Sequence, residues 1–223
     1  MTTPTFSIRG IFKEAWQPTK QHLWLFTAVF FAFLILYFLV EVLSGGINRY
    51  IVDPNEAPMQ TLLRIIQQMY SVQSILSWFI LNILVSFVSL GLAGMALQVV
   101  AGREPGLPDL LIAPKKIMHC FLALIIFNVI GVIGLVLCIV PGLLLMARLQ
   151  FFYFFIVEED CNAFEALSKS WKCSKGRTWK LVLFSLAVLV LVSLSVLLFV
   201  VGVVVVVPWT IIAYALVYRK ITS

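Results

Sequence analysis

Residues 141–180 read PGLLLMARLQFFYFFIVEEDCNAFEALSKSWKCSKGRTWK. The opening Pro-Gly pair predicts the end or a sharp turn of a helix, because proline cannot donate a backbone hydrogen bond and crowds the preceding turn. A short apolar run containing Arg148 follows, and it ends at three acidic residues, Glu158, Glu159 and Asp160. A basic segment then leads into another apolar run. This order predicts a short membrane span followed by a helix at the membrane surface.

The composition of the whole chain is that of an integral membrane protein. Of its 223 residues, 62% are hydrophobic and 12% are charged, whereas soluble domains carry about 25% charged residues. Uncharged runs at 21–40, 65–102, 117–147 and 181–218 each reach the length of about 20 residues that crosses a bilayer as a helix. The charged segments between them are too short to fold alone. We therefore expect a single membrane domain over residues 1–223.

The predicted fold is an all-α, polytopic membrane helical bundle with six transmembrane helices and an N-terminal amphipathic surface helix. The run 181–218 would extend about 57 Å as one helix, nearly twice a hydrocarbon core of about 30 Å, so we divide it near Gly202. The predicted helices are a surface helix at 6–17, spans at about 23–43, 74–99, 117–140, 143–157, 179–201 and 203–218, and a cytoplasmic helix at 162–175.

The predicted N-terminal helix has an apolar stripe along one side, and Arg9, Lys13 and Glu14 lie on its other sides. Such a stripe lies in the membrane interface or binds a partner helix, and we favour the interface. Pro18 is expected to end this helix. The residues of the stripe are Ile8, Ile11, Phe12, Ala15 and Trp16.

Two spans present small or polar residues along one side. Such residues let membrane helices approach closely and form hydrogen bonds, so we read these sides as packing faces. A polar substrate lining is the alternative for the second span. The faces are Asn82, Ser86, Ser89, Ala93 and Ala96 in the second span, and Asn128, Gly131, Gly134 and Cys138 in the third.

The basic residues predict the topology. With six spans and an inner N-terminus, every loop lysine and arginine except Arg49 and Arg64 lies on the inner side. Because positive charge accumulates in cytoplasmic loops, we expect both termini in the cytoplasm. The same explanation accounts for the net charge of +6 without a nucleic-acid partner.

Arg148 is the one charge well inside a predicted span. Its insertion costs at least about 2.5 kcal/mol, so it should face the interior of the bundle or water and have a partner. Glu41, at the outer end of the first span, is the partner we prefer. The pair would be a clamp between helices, or Arg148 would belong to a site for a ligand headgroup or an ion.

The predicted helix 162–175 begins with a capping box, Asn162 and Glu165. Phe164, Leu167 and Trp171 share one side, which we expect to lie on the membrane, and Glu165 is spaced to pair with Lys169. A basic stripe along the inner surface should attract anionic lipid headgroups. Its members are Lys169, Lys172, Lys175, Arg177 and Lys180.

Catalytic and metal-binding patterns are missing from the sequence. Three consecutive acidic residues at 158–160 cannot all face one point on a helix, so we interpret them as a solvated cap before Asn162, with a metal or acid-base site as the alternative. The four cysteines show no CxxC pairing. No GxSxG, HExxH, P-loop or GxGxxG motif occurs. We predict no cofactor and no enzymatic activity.

The order of features in residues 141–180 resembles that of a bacterial membrane domain fused to some glycerophosphoryl diester phosphodiesterases, and of related, uncharacterised six-span inner-membrane proteins. The resemblance implies a six-helix bundle in the bacterial inner membrane. It does not imply phosphodiesterase activity, because the catalytic barrel of those fusions is a separate domain. The matching motifs are Pro141-Gly142, Arg148, Val157-Glu158, Glu165-Ala166-Leu167, Ser170-Trp171 and Lys175-Gly176.

From these observations we expect a bundle that binds membrane lipids or a membrane-protein partner through the basic helix and the Arg148 region. A small transporter or channel subunit is the alternative, although the few ionisable residues in the spans argue against proton coupling. An intramembrane enzyme ranks third.

Overall fold

The computed structural model describes residues 7–43, 59–60, 63, 71–106, 114–197 and 200–222. Every regular element in this part of the chain is a helix. The helices are α1 (Ile8–Leu43), α2 (Val72–Val100), α3 (Pro114–Leu137), α4 (Ile139–Leu149), α5 (Phe152–Glu159), α6 (Ala163–Cys173), α7 (Thr178–Leu197) and α8 (Val200–Thr222). The predicted outer loop with Arg49 and Arg64 lies outside the described residues.

Six segments of the described chain are long and apolar enough to cross a bilayer. They lie in α1, in α2, in α3, in α4 together with α5, in α7 and in α8. The predicted all-helical fold with six spans is confirmed, and the chain is a multi-pass membrane protein. The predicted division of residues 181–218 into two spans is also confirmed, because one candidate span ends at Val196 and the next begins at Val204.

The chain packs as two compact units. The smaller unit is Val29–Val85, in which the Ser71 side chain accepts a hydrogen bond from the Ser74 backbone at the start of α2 (3.2 Å). The larger unit joins Met1–Ala28 to Ser86–Ser223. The single membrane domain over residues 1–223 stays a prediction.

Helix α1 continues through Pro18, so the predicted helix end at this proline is wrong. Proline removes one backbone hydrogen bond, here the one that residue 18 would donate to the Glu14 carbonyl oxygen, and membrane helices tolerate such a loss. The Thr19 hydroxyl adds a hydrogen bond in the same turn, to the Ala15 carbonyl oxygen at 2.6 Å. The amphipathic segment is therefore the first part of one long helix.

The apolar stripe of this segment packs on other helices of the chain, and its position at the membrane interface stays a prediction. Ile11 and Ala15 are fully buried. The Phe12 ring lies 5.6 Å from Phe184 of α7 and 5.2 Å from Trp209 of α8. Trp209 Nε1 also donates to the Phe12 carbonyl oxygen at 2.9 Å. The stripe binds helices, but they belong to the same chain.

The turn between α3 and α4 lies at Cys138, three residues before the predicted turn at Pro141. Pro141 fits inside the first turn of α4, because backbone N–H groups there have no partner within the helix. A Cβ atom added to Gly134 would lie 2.9 Å from the Gly142 Cα. The two helices therefore approach closely, as the small-residue face predicts.

Gly202 lies inside α8 and is not the turn predicted from the sequence. Helix α7 ends at Leu197 and α8 begins at Val200. A Cβ atom added to Gly202 would lie 2.5 Å from the Ser195 carbonyl oxygen. This glycine is required because the backbones of α7 and α8 come together next to their connection.

Candidate functional site

The span formed by α4 and α5 is interrupted at Gln150 and Phe151. An interruption within a span leaves backbone groups that must find other partners. The Ser170 hydroxyl of α6 donates to the Arg148 carbonyl oxygen at 2.7 Å and accepts from the Phe151 N–H at 3.2 Å. The Ser174 hydroxyl also donates to the Arg148 carbonyl, at 3.1 Å. The hydroxyls of Ser170 in α6 and of Ser174 just after it thus replace the helical hydrogen bonds of the interruption.

The guanidinium of Arg148 is held by two other side chains. Its central carbon lies 4.4 Å from the centre of the Trp171 ring, in a cation-π contact. Its Nε donates to the Thr178 hydroxyl at 2.8 Å, and that hydroxyl donates to the Ser174 carbonyl oxygen at 3.3 Å. One face and one edge of the guanidinium are therefore fixed by the protein.

The outer edge of the guanidinium is available for a ligand. Within its unit, the described residues provide neither a carboxylate at ion-pair distance from Arg148 nor an acceptor for its Nη hydrogens. The predicted partner, Glu41, belongs to the smaller unit, and its pairing with Arg148 stays a prediction.

The structure brings Arg148 and the predicted basic stripe into one region. Trp171 and Thr178, which hold the guanidinium, lie at either side of the segment 172–177. Lys172, Lys175 and Lys180 are exposed, and none of them forms an ion pair within the described residues. Two separately predicted sites are thus neighbours.

The two other members of the stripe bind the protein. Arg177 Nη1 donates to the Ile221 carbonyl oxygen at 3.4 Å. Lys169 Nζ lies 3.0 Å from Cys161 Sγ and forms an ion pair with Glu159. The Cys161 thiol and the Glu159 carboxylate raise the pKa of Lys169, so its charge is retained at neutral pH. The Lys169 charge therefore has a carboxylate partner within the protein, and its contact with lipid stays a prediction.

The acidic cluster binds three different helices. Glu158 pairs with Arg219 of α8 at 2.8 Å and accepts from the Tyr218 hydroxyl at 2.7 Å. Asp160, which ends α5 in a left-handed conformation, pairs with Lys116 of α3 at 3.5 Å. Since Glu159 pairs with Lys169 of α6, the cluster forms ion pairs from the end of α5 to α3, α6 and α8. All three residues are exposed, as expected of a solvated cap, and each carboxylate also forms an ion pair with another helix.

In the described part of the chain, no group of three or more His, Cys, Asp and Glu side chains is arranged to hold a metal ion. The acidic side chains of the cluster point to separate partners, which leaves no common centre for a cation.

Part of the face of α6 that is predicted to lie on the membrane packs on the protein, and the contact of this face with the membrane stays a prediction. Its capping box is confirmed, with the Asn162 N–H donating to Glu165 Oε2 at 3.2 Å. Leu167 is buried with Ala163 and Ala166, because these small residues allow α6 to pack against α3, α4 and α5. Of the predicted face, Phe164 (68%) and Trp171 (38%) are exposed and Leu167 is buried.

A cavity of about 540 Å³ lies next to the Arg148 region. Ala147 and Gln150 line it, while Arg148 between them does not. The Ser185 hydroxyl of α7 donates to Gln150 Oε1 at 2.7 Å within the lining. Most of the wall is apolar, and its residues are Ser89, Leu92, Ala93, Phe127, Leu143, Met146, Ala147, Gln150, Tyr153, Phe154, Val182, Ser185, Leu186, Leu189, Ile211 and Tyr214.

Sequence reasoning identified Arg148 but missed the residues that position it. Ser170, Ser174 and Thr178 recur at intervals of four, which is the one signal that could have indicated a hydroxyl-bearing face toward the arginine.

One family model matches this chain, that of the domain of unknown function DUF7847, and the match covers residues 12–220. No curated protein and no solved structure matches the chain.

Proposed function

Because the chain belongs to the DUF7847 family, whose function is unknown, we propose a function from the site itself. The protein is a non-enzymatic, multi-pass protein of the bacterial inner membrane that binds an anionic phospholipid. Arg148 binds the phosphate of the headgroup, and Lys172, Lys175 and Lys180 strengthen the preference for negative charge.

The position of the Arg148 guanidinium carries this proposal. Trp171 and Thr178 hold one face and one edge, and no acceptor from the described residues of the unit occupies its Nη groups. Arginine presents a planar fork that matches two phosphate oxygens, so a preoriented guanidinium with an unoccupied edge suits a phosphate. Although Arg148 belongs to the middle of its own span, its guanidinium binds Thr178, the first residue of the span in α7. A long arginine side chain that reaches the end of a neighbouring span has lipid headgroups as its nearest phosphates.

The residues around Arg148 add charge and an interfacial anchor. Each lysine close to an anionic membrane surface contributes about 1 kcal/mol. Trp179 is exposed beside Lys180 at the start of α7, and tryptophan concentrates at headgroup level because its ring is amphipathic. This arrangement supports a cytoplasmic location of the site, with both termini on the same side.

A transporter is the second candidate, and the interruption between α4 and α5 favours it. Transporters often form their substrate sites from broken helices whose free backbone groups contact the substrate. In this protein, however, Ser170 and Ser174 already occupy the Arg148 carbonyl and the Phe151 N–H. The interruption gives more support to a fixed binding site than to a transport path.

We also propose that the family is related to the membrane domain fused to glycerophosphoryl diester phosphodiesterases. The motifs within residues 141–180 support this relationship. Sequences intermediate between the two groups, aligned through Arg148 and Ser170-Trp171, would test it, and substitution of those positions across the intermediates would contradict it.

The test of lipid binding is mass spectrometry of the lipids that copurify with the protein. We expect anionic phospholipid to be enriched over its share of the membrane, and the enrichment to fall at least about fivefold in Arg148→Gln, equivalent to about 1 kcal/mol. Lys172→Gln/Lys175→Gln/Lys180→Gln should lower it in part.

The matched control removes the same charge elsewhere. Arg9, Lys13 and Lys115 are exposed cations on α1 and α3, and changing all three to glutamine should leave the enrichment unchanged. Equal enrichment in the wild type and in Arg148→Gln, or no enrichment in the wild type, would contradict the proposal.

A further inference from the structure

The cavity beside Arg148 is polar at one end and apolar at the other. Along α4, Gln150 lies at the Arg148 end and Leu143 lies about 10 Å away, at about 1.5 Å per residue. The Gln150 end also contains the hydroxyls of Ser185 and Tyr214. The opposite end contains Leu143, Leu186 and Leu189. The cavity thus has the polarity of an amphiphilic molecule.

The apolar end opens toward the surroundings of the helices. Leu143 of α4 and Leu186 and Leu189 of α7 line the cavity and are also 44%, 50% and 61% exposed. Because both helices are candidate spans, this opening lies where lipid chains surround the protein. A ligand can enter from the bilayer without crossing water.

The polar end contains a hydrogen-bond donor without a partner. Gln150 Oε1 accepts from Ser185, but the buried Gln150 Nε2 has no acceptor among the described residues. An unpaired buried donor favours a ligand that brings an acceptor. The ester carbonyl of a lipid is such an acceptor, and it lies between the phosphate and the hydrocarbon chain.

We propose that the cavity holds one acyl chain of the phospholipid whose phosphate binds Arg148. This inference rests on the proposed function, which places the phosphate of the lipid but not its acyl chains. The ester carbonyl lies near Gln150 and the chain extends toward Leu143 and Leu189. A volume of about 540 Å³ falls within the range of roughly 300–1,000 Å³ that ligand cavities have.

The experiment uses two photoreactive probes with the same chain, which carries a diazirine near its end. One probe is phosphatidylglycerol, and the other is the fatty acid methyl ester, which lacks the phosphate. The full-length protein in vesicles is irradiated with each probe, and peptide mass spectrometry locates the label. We expect phosphatidylglycerol to label α4 and α7 around Leu143, Leu186 and Leu189.

Variants that fill the cavity provide the second readout. Val182→Phe and Ser89→Phe place a ring in the cavity from α7 and α2, so either should reduce labelling by phosphatidylglycerol at least fivefold. Val190→Phe is the matched control, because Val190 is exposed on α7 and does not line the cavity. Its labelling should equal that of the wild type.

The outcomes separate this inference from the proposed function. Labelling outside the cavity, or labelling unchanged in both filled variants, overturns the inference even if anionic lipid still copurifies through Arg148. In Arg148→Gln, phosphatidylglycerol labelling should fall to the level of the methyl ester. If it does not fall, the chain belongs to a lipid that Arg148 does not hold, and the inference is also overturned.

Discussion

The Ser170 hydroxyl of α6 donates a hydrogen bond to the carbonyl oxygen of Arg148, at 2.7 Å. The same hydroxyl accepts from the Phe151 N–H, so one side chain completes both sides of the interruption between α4 and α5. Arg148 is thereby fixed through its backbone as well as through its guanidinium. A helix outside the spans determines the shape of a span.

Ser170→Ala should destabilise the protein by about 1 kcal/mol, because it leaves the Phe151 N–H without a partner while Ser174 still binds the Arg148 carbonyl. Unfolding in mixed detergent measures the change. Ser168→Ala is the control, since Ser168 is exposed on the same helix and should change stability by less than about 0.5 kcal/mol. Equal effects of the two substitutions would contradict the role of Ser170.

Gly134→Ala should destabilise the α3–α4 hairpin by about 1–3 kcal/mol, because the added methyl group would lie 2.9 Å from the Gly142 Cα and backbone cannot give way as a side chain can. Gly10→Ala in α1 is the control. Its nearest neighbour is 3.5 Å from the added carbon, so the better helix propensity of alanine should make it neutral or stabilising. A neutral Gly134→Ala would show that the two helices are not in close contact.

Cys138 provides a test of topology in the native sequence. It is exposed at the α3–α4 turn, which the predicted topology places on the outer side. A membrane-impermeant maleimide should label it in intact cells, and Cys138→Ser should abolish that label. Labelling that requires permeabilised cells would reverse the topology.

Cys173 serves as a second reporter, on the predicted inner side. Burial raises the pKa of the Cys173 thiol, so less reactive thiolate is present at neutral pH. We expect it to be labelled only after permeabilisation, more slowly than Cys138, and faster as the pH rises. Rapid labelling of Cys173 in intact cells would count against cytoplasmic exposure of α6.

The predicted pairing of Glu41 with Arg148 can be tested by a double-mutant cycle. If the two charges pair, Glu41→Gln combined with Arg148→Gln should lower the free energy of unfolding by less than the sum of the single changes, by at least about 0.5 kcal/mol. Strictly additive losses would count against the pairing of Glu41 with Arg148.

The sequence predicts those features of the fold that depend on local composition. Runs of apolar residues predict the six spans, and the Asn162 and Glu165 capping box predicts the start of α6 within one residue. Gly131 and Gly134 predict a close-packing face on α3, and the structure shows that α4 is the helix that occupies it. In each case a short segment contains the whole physical cause.

Features that depend on distant partners could not be predicted in this way. Lys169 pairs with Glu159 and not with Glu165, because the capping box already uses the Glu165 carboxylate. Helix α1 passes through Pro18 while its apolar stripe is covered by Phe184 and Trp209. The cavity is likewise lined by residues from six helices. No local sequence pattern predicts that these six helices come together.

Contact between the Arg148 guanidinium and a lipid phosphate can be measured directly by nitrogen–phosphorus solid-state NMR. The protein carries ¹⁵N-labelled arginine in phosphatidylglycerol vesicles, and Arg148→Lys retains the charge but lacks the fork that binds two phosphate oxygens. We predict dephasing of a guanidinium signal by ³¹P that disappears in Arg148→Lys. The same dephasing in both proteins would show that Arg148 does not bind the phosphate.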